Sequence, residues 1–183
     1  MKYGLRSLFA SDLAALKGGR GVPAFCLRYW ADPSFATLCR WRAACHFRSR
    51  GRVGRVIAKV LWRRNVRLAA CFLSPNAVLG KALVLPHATG IVVGEGVKIG
   101  DGVVIYQGVT LGLKSPSLDG YPVIADGVSL FAGACVLGPV TVGANAIVAA
   151  NAVVTRNVDS GLVVAGVPAR PLAPTVGAAG KGP

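Results

Sequence analysis

A six-residue period runs through the second half of this 183-residue chain. Val93-Gly94-Glu95-Gly96-Val97-Lys98 is followed by Ile99-Gly100-Asp101-Gly102-Val103-Val104, then by Ile105-Tyr106-Gln107-Gly108-Val109-Thr110 and Leu111-Gly112. The period resumes at Ile124 and Leu130, and Val136, Val142, Val148 and Val154 open the later units. The first position is Ile, Leu or Val, the fifth Val or Ala, the fourth usually Gly, Asn or Pro. A large and a small side chain thus share an interior, and the fourth residue supplies a turn backbone that favours positive φ. Six residues make one short strand and one turn, and three units close a coil of about 18 residues. The expected fold is mainly β. It is a left-handed parallel β-helix of hexapeptide repeats, against the usual right-handed crossover, preceded by a short α-helical region.

The repeat also explains a hydropathy signal. Residues 127–155 carry no formal charge, and this stretch is longer than the ~20 residues of a membrane-spanning helix. Gly133, Gly138, Pro139, Gly143, Asn145 and Asn151 interrupt it, and its apolar residues are β-branched and periodic. Coils of a solenoid account for that pattern better than a membrane span.

Charge divides the chain. Residues 1–70 hold 15 basic and 2 acidic side chains, and residues 71–183 hold 6 and 5. We expect a basic α-helical N-terminal region over 1–72, a left-handed β-helix domain over 73–172 with a loop at 113–123, and a disordered Gly/Ala-rich tail over 173–183. Two helices are expected over Phe35–Arg50 and Val53–Phe72, with a weaker helix and a loop before them. Arginines interleave with Trp30, Trp41 and Trp62 in this region. Three readings fit: a solvated helix surface, peripheral docking to an anionic membrane, and nucleic-acid binding, which no groove-reading motif supports. Five cysteines at irregular spacing, without a C-x-x-C pair, indicate buried thiols in a reducing compartment, with no metal site. The first 25 residues contain Asp12, Lys17 and Arg20 and no long apolar core, which argues against a secretory signal and for a cytoplasmic protein.

Two irregularities mark where chemistry would sit, since a solenoid gains nothing from loops. Leu85-Pro86-His87-Ala88-Thr89-Gly90-Ile91-Val92 has eight residues where six are expected, and Leu113 to Val123 is an eleven-residue excursion. His87 is one of two histidines in the chain; the other, His46, sits in the basic helices and reads as a helix-face residue.

Helices followed by this array resemble the serine acetyltransferase family of acyltransferases over roughly residues 35–172. The match rests on His87-Ala88-Thr89-Gly90-Ile91-Val92-Val93-Gly94-Glu95, on Ile105 to Gly112, and on Gly166-Val167-Pro168-Ala169-Arg170. The resemblance implies an acetyl-CoA-dependent O-acetyltransferase with acetyl-CoA as co-substrate. The residue matching the family's general base is His87, a role that suits a neutral imidazole near working pH. It further implies a homotrimer with the acetyl-CoA groove between neighbouring solenoids. Lys114 and Arg170 are the candidates for the cofactor's phosphates, and Gly112, Gly133 and Ala150 for close approach of the cofactor.

The chain departs from the family at three places. Pro86 and Phe72 stand where the family has aspartates, and Gly120-Tyr121 stands where it has Arg-His; Tyr121 keeps a hydroxyl able to donate a hydrogen bond. The family's larger helical N-terminal domain is also shorter here. Gly-Tyr-Pro in the loop is similar to the serine-acetyltransferase-like enzymes of capsule and exopolysaccharide clusters. The acceptor expected from these departures is therefore a hydroxyl of a sugar or polysaccharide precursor. Serine O-acetylation in cysteine biosynthesis is the alternative, and a catalytically silent scaffold is a third class.

Overall fold

The computed structural model describes residues 3–17, 19, 21–115 and 120–172. Three of the parallel sheets expected from the repeat form the faces of a prism, a left-handed parallel β-helix. The first sheet stacks β1 (Phe72–Leu73), β3 (Val92–Val93), β6 (Thr110–Gly112), β9 (Cys135–Leu137) and β12 (Val153–Val154). The second stacks β2 (Val78–Leu79), β4 (Lys98–Ile99), β7 (Val123–Ile124) and β10 (Thr141–Val142). The third stacks β5 (Val104–Ile105), β8 (Ser129–Leu130), β11 (Ile147–Val148), β13 (Val163–Ala165) and an antiparallel cap, β14 (Arg170–Pro171).

The sequence period maps directly onto burial. Val93, Ile99, Ile105, Leu111, Ile124, Leu130, Val136, Val142, Val148 and Val154 fill the prism interior. The fifth-position residues, from Val97 to Ala152, are buried beside them. Left-handed backbone occurs at the fourth position on two of the three edges, as at Gly127 (φ 68) and Gly133 (φ 70). Side chains there would meet Asn145 and Asn151 of the next coil.

Register measures the two irregularities. Paired residues are 18 apart in regular coils, as for Val92 with Thr110 and Cys135 with Val153. The separation is 20 across the His87 turn, from Phe72 to Val92, and 25 across the long loop, from Thr110 to Cys135. The loop thus adds seven residues to a coil, and part of the expected eleven-residue excursion is ordinary corner. Residues 116–119 of that loop, and the tail expected to be disordered, lie outside the described residues.

Four helices precede the prism: α1 (Leu5–Ala15), α2 (Gly21–Ala31), α3 (Pro33–Arg48) and α4 (Gly51–Ala69). The region expected as one weak helix and a loop is two helices. Helix α3 begins two residues before the expected start because Asp32 caps it. Its carboxylate accepts from the amides of Ser34 (2.9 Å) and Phe35 (3.1 Å), and Pro33 suits the first turn.

Helix α3 is buried nearly all round, which removes three side chains from the expected basic surface. Trp41 is fully buried and donates from its indole nitrogen to the Ser74 carbonyl at 2.9 Å. Arg42, 1% exposed, forms a two-pronged ion pair with the buried Asp12, whose Oδ1 also accepts the Leu83 amide at 3.0 Å. Burial pushes the Asp12 carboxyl up from its ordinary value, against the pull of Arg42. Arg40 donates to Asn65 (2.7 Å) and Thr37 (2.9 Å), tying α3 to α4. Buried charge survives only with such partners. Helix α4 lies close on α3 through Gly54 and Ala58, where a larger residue at 54 would meet the Phe47 carbonyl.

Candidate functional site

His87 sits on the edge where the third sheet turns into the first. Its turn carries two residues more than the corner formed by Tyr106-Gln107-Gly108, and the extra length pushes His87 outward, where it is exposed. The His87 carbonyl accepts the Thr89 amide at 2.8 Å, which tightens the turn. Along the same edge the His87 ring lies 6.4 Å from that of Tyr106, and Tyr106 stacks on Phe131 at 5.0 Å with 7° between planes. Such offset aromatic contacts hold a ring's place on a surface that has no other covering. Gln107 Oε1 is buried beside this ladder and accepts no hydrogen bond among the described residues.

The sequence candidates divide between two edges. On the His87 edge lie Gly133, Ala150 and, at the capping end, Arg170. The His87 turn and Arg170 are five strand rows apart, about 24 Å at ~4.8 Å per row. Ala150 and Arg170 are exposed, and Arg170 donates to the Ala169 carbonyl at 3.0 Å. Gly133 offers backbone only, because Asn151 occupies the space its side chain would take. On the next edge, where the first sheet turns into the second, lie Gly112, Lys114 and Tyr121. Among the described residues, other than its chain neighbours, nothing stands within 4 Å of the side-chain position of Gly112. Lys114 packs against Gly138, and the Tyr121 ring lies flat over Gly94 and Gly96. Within one chain the structure therefore separates His87 from Tyr121 and Lys114 by the width of the first sheet.

The sequence reading missed Tyr106 and Phe131, whose stacking joins positions 25 residues apart across the long loop, and Ser34, whose contact needs the folded chain. Of the five cysteines expected to be buried, Cys26 is exposed; Cys39, Cys45 and Cys71 are poor nucleophiles. Burial pushes the Cys39 and Cys45 thiols up to about 12, and Cys71 is raised by the same cause. A cavity of about 630 Å³ lies between α1, α3 and the second sheet, lined among others by Cys45, Asn76 and Asp101; it contains no candidate residue. Among the described residues no cluster of three or more His, Cys, Asp or Glu side chains could hold a metal ion, and no helix is long and apolar enough to cross a membrane.

A prism of hexapeptide coils with a histidine on an outgrown edge turn is the architecture of hexapeptide acyltransferases, and residues 121–156 match the bacterial transferase hexapeptide (six repeats) family. A curated serine acetyltransferase of Mycobacterium tuberculosis is 40% identical over 129 residues, covering 63% of this chain and 56% of that protein. The soybean serine acetyltransferase complexed with serine superposes with a TM-score of 0.81 at 33% identity, covering 92% of this chain and 69% of that one. A serine acetyltransferase complex with CoA superposes with a TM-score of 0.78 at 31% identity, covering 92% and 69%. The chain belongs to the hexapeptide-repeat acyltransferases, in their serine acetyltransferase family. It spans about half the length of the curated relative.

These matches overturn the expected sugar or polysaccharide acceptor, together with its capsule and exopolysaccharide setting. That expectation rested on single departures, and two of them have structural explanations. Phe72 faces outward at 48% exposure and packs edge-on to Trp62 at 6.2 Å, so its position serves the docking of α4. Tyr121 is held by the Gly94–Gly96 corner. Neither change alters the scaffold that matches the serine enzymes.

Proposed function

We propose that this protein transfers the acetyl group of acetyl-CoA to the hydroxyl of serine, with His87 as the general base. The observation that carries the reading is the exposed His87 on its lengthened turn, on a scaffold that superposes on serine acetyltransferases solved with serine and with CoA. His87 takes the hydroxyl proton as the serine oxygen attacks the thioester carbon. A carbon–oxygen bond forms, the carbon–sulfur bond breaks, and the departing CoA sulfur takes the proton from the imidazolium. Tyr121 donates a hydrogen bond to the acceptor or to the oxyanion. Lys114 and Arg170 bind the phosphates of CoA. The open side of Gly112, the backbone at Gly133 and the exposed Ala150 border its extended chain.

The assembly is a homotrimer with the first sheet turned toward the three-fold axis. That sheet presents Val92, Thr110, Cys135 and Val153 outward and the third presents Val104, Ser129, Ile147 and Val163, all uncharged, whereas the second presents Lys98; of the two uncharged faces, the first is the one bordered by both the His87 and the Tyr121 edges. Turning it inward sets the His87 edge of each copy against the Tyr121 edge of the next, so each seam holds one complete set of site residues.

Peripheral contact with an anionic membrane is assigned to α4. Val53, Val56, Ile57 and Val60 are exposed on one side of this helix, flanked by Arg52, Arg55, Lys59, Arg63, Arg64 and Arg67. An apolar stripe bordered by cations suits the headgroup boundary of an anionic bilayer. The acceptor is tested by measuring thiol release from acetyl-CoA with L-serine and with a panel of sugars and oligosaccharides. Serine-dependent release is the expected result, and release only with sugars contradicts it.

A further inference from the structure

The His87 turn is fastened to the helical region at two points: the Gly90 amide donates to the Ala69 carbonyl at the end of α4 at 3.2 Å, and one hydroxyl of α3 holds the residues beside His87. Ser34, in the first turn of α3, accepts the Ala88 amide at 3.0 Å and donates to the Pro86 carbonyl at 3.4 Å. These are the two residues on either side of His87. The same side chain therefore grips both shoulders of the one corner that the repeat does not template. Backbone bonds ladder this edge, Gly108 N–H to the Thr89 carbonyl at 3.0 Å and Gly133 N–H to the Gln107 carbonyl at 2.9 Å. The His87 corner joins that ladder at Thr89, and its two added residues lie outside the six-residue register.

The far end of the fastening is rigid. Helix α3 is capped at Asp32 directly before the Ser34 turn. It is anchored to the prism by the buried Trp41 on the Ser74 carbonyl. It is anchored again by the Arg42–Asp12 pair, which reaches the Leu83 amide only four residues before His87. A first-turn hydroxyl on so fixed a helix sets where the following turn stands, and a displacement of about 1 Å in a reacting group is enough to lower a rate by about a hundredfold.

We propose that Ser34 is a positioning residue for His87: it holds the lengthened turn so that the imidazole projects into the seam at the distance proton transfer requires. This rests on the proposed role of His87 as general base. It is a role for the helical region in the reaction itself, separate from any part that region plays in assembly or docking.

The test compares Ser34→Ala, Ser34→Thr and Ser11→Ala in the full chain. Ser11 is the internal control, because its hydroxyl likewise ties the helical region to the prism, accepting the Ala82 amide at 3.2 Å, but on another edge and without touching a residue beside His87. With serine and acetyl-CoA, Ser34→Ala lowers kcat by about ten- to a hundredfold while KM for acetyl-CoA stays within about twofold. Ser34→Thr restores kcat, and Ser11→Ala leaves it unchanged. Amide exchange supplies a readout independent of turnover: the Ala88 amide exchanges roughly fivefold faster or more in Ser34→Ala and is restored in Ser34→Thr. Unchanged kcat in Ser34→Ala, an equal loss in Ser11→Ala, failure of Thr to rescue, or unchanged exchange at Ala88 overturns the proposal. A wild-type protein without serine-dependent turnover overturns instead the reading of the reaction, while the exchange measurement still reports on the clamp.

Discussion

His87 and Tyr121 stand on different edges of the same prism, with the first sheet between them. A site that uses both is therefore assembled between copies. His87→Ala and Tyr121→Ala proteins should each be nearly inactive alone. Unfolded together and refolded as a mixture, they should regain about a quarter of wild-type activity, because every mixed cyclic trimer contains one intact seam. Turnover of the mixture no higher than that of the separate variants would show that the two side chains do not meet across a seam.

The Asp12–Arg42 pair holds the helical region on the solenoid. Both side chains are fully buried, and Asp12 also satisfies the Leu83 amide. Replacing Asp12 by Ala leaves a buried guanidinium and a backbone amide without their partner. Breaking such a pair costs about 3–5 kcal/mol. Urea unfolding of Asp12→Ala should show a loss of that size, and a loss below about 1 kcal/mol would mean that Arg42 finds other partners.

The solenoid was legible in the sequence because one period serves two purposes. The residue that must be large, such as Ile105, and the one that must be small, such as Ala134, recur at fixed positions, and burial follows them from Val93 to Val154. The helical region was less legible. Trp41, Arg40 and Arg42 read as part of a basic amphipathic face, yet α3 is enclosed by α1, α4 and the prism, so a polar network replaces the expected surface. His87 was visible from the broken period. Its support by Ser34 joins residues more than fifty positions apart and leaves no local trace. The acceptor was not legible, because Phe72 and Tyr121 in the sequence suggest lost substrate contacts, whereas in the fold Phe72 packs on Trp62 and Tyr121 on the Gly94–Gly96 corner.

Removing Arg40 and Arg42 from the surface sharpens the docking test. Exposed cations cluster at Arg48, Arg50 and along α4, and Val56 and Val60 lie among them. Arg48, Arg50, Arg52 and Arg55 changed together to Gln should weaken binding to vesicles rich in phosphatidylserine. Salt should do the same as the Debye length falls from ~30 Å at 0.01 M to ~10 Å at 0.1 M. Val56→Asp with Val60→Asp should weaken it at every salt concentration, since these side chains are exposed and the proposed docking buries them in lipid. Vesicle binding that is absent at low salt, or indifferent to both sets of changes, would mark α4 as a solvated surface.

The reaction itself turns on a single imidazole. The most direct measurement is steady-state thiol release from acetyl-CoA in the presence of L-serine by the wild-type and His87→Ala proteins, alongside calorimetric binding of CoA to each. The account predicts serine-dependent release by the wild type, a kcat lower by roughly 10²–10⁴-fold in His87→Ala, and CoA affinity unchanged between them. Wild-type-like turnover by His87→Ala, or no serine-dependent release by the wild type, would contradict it.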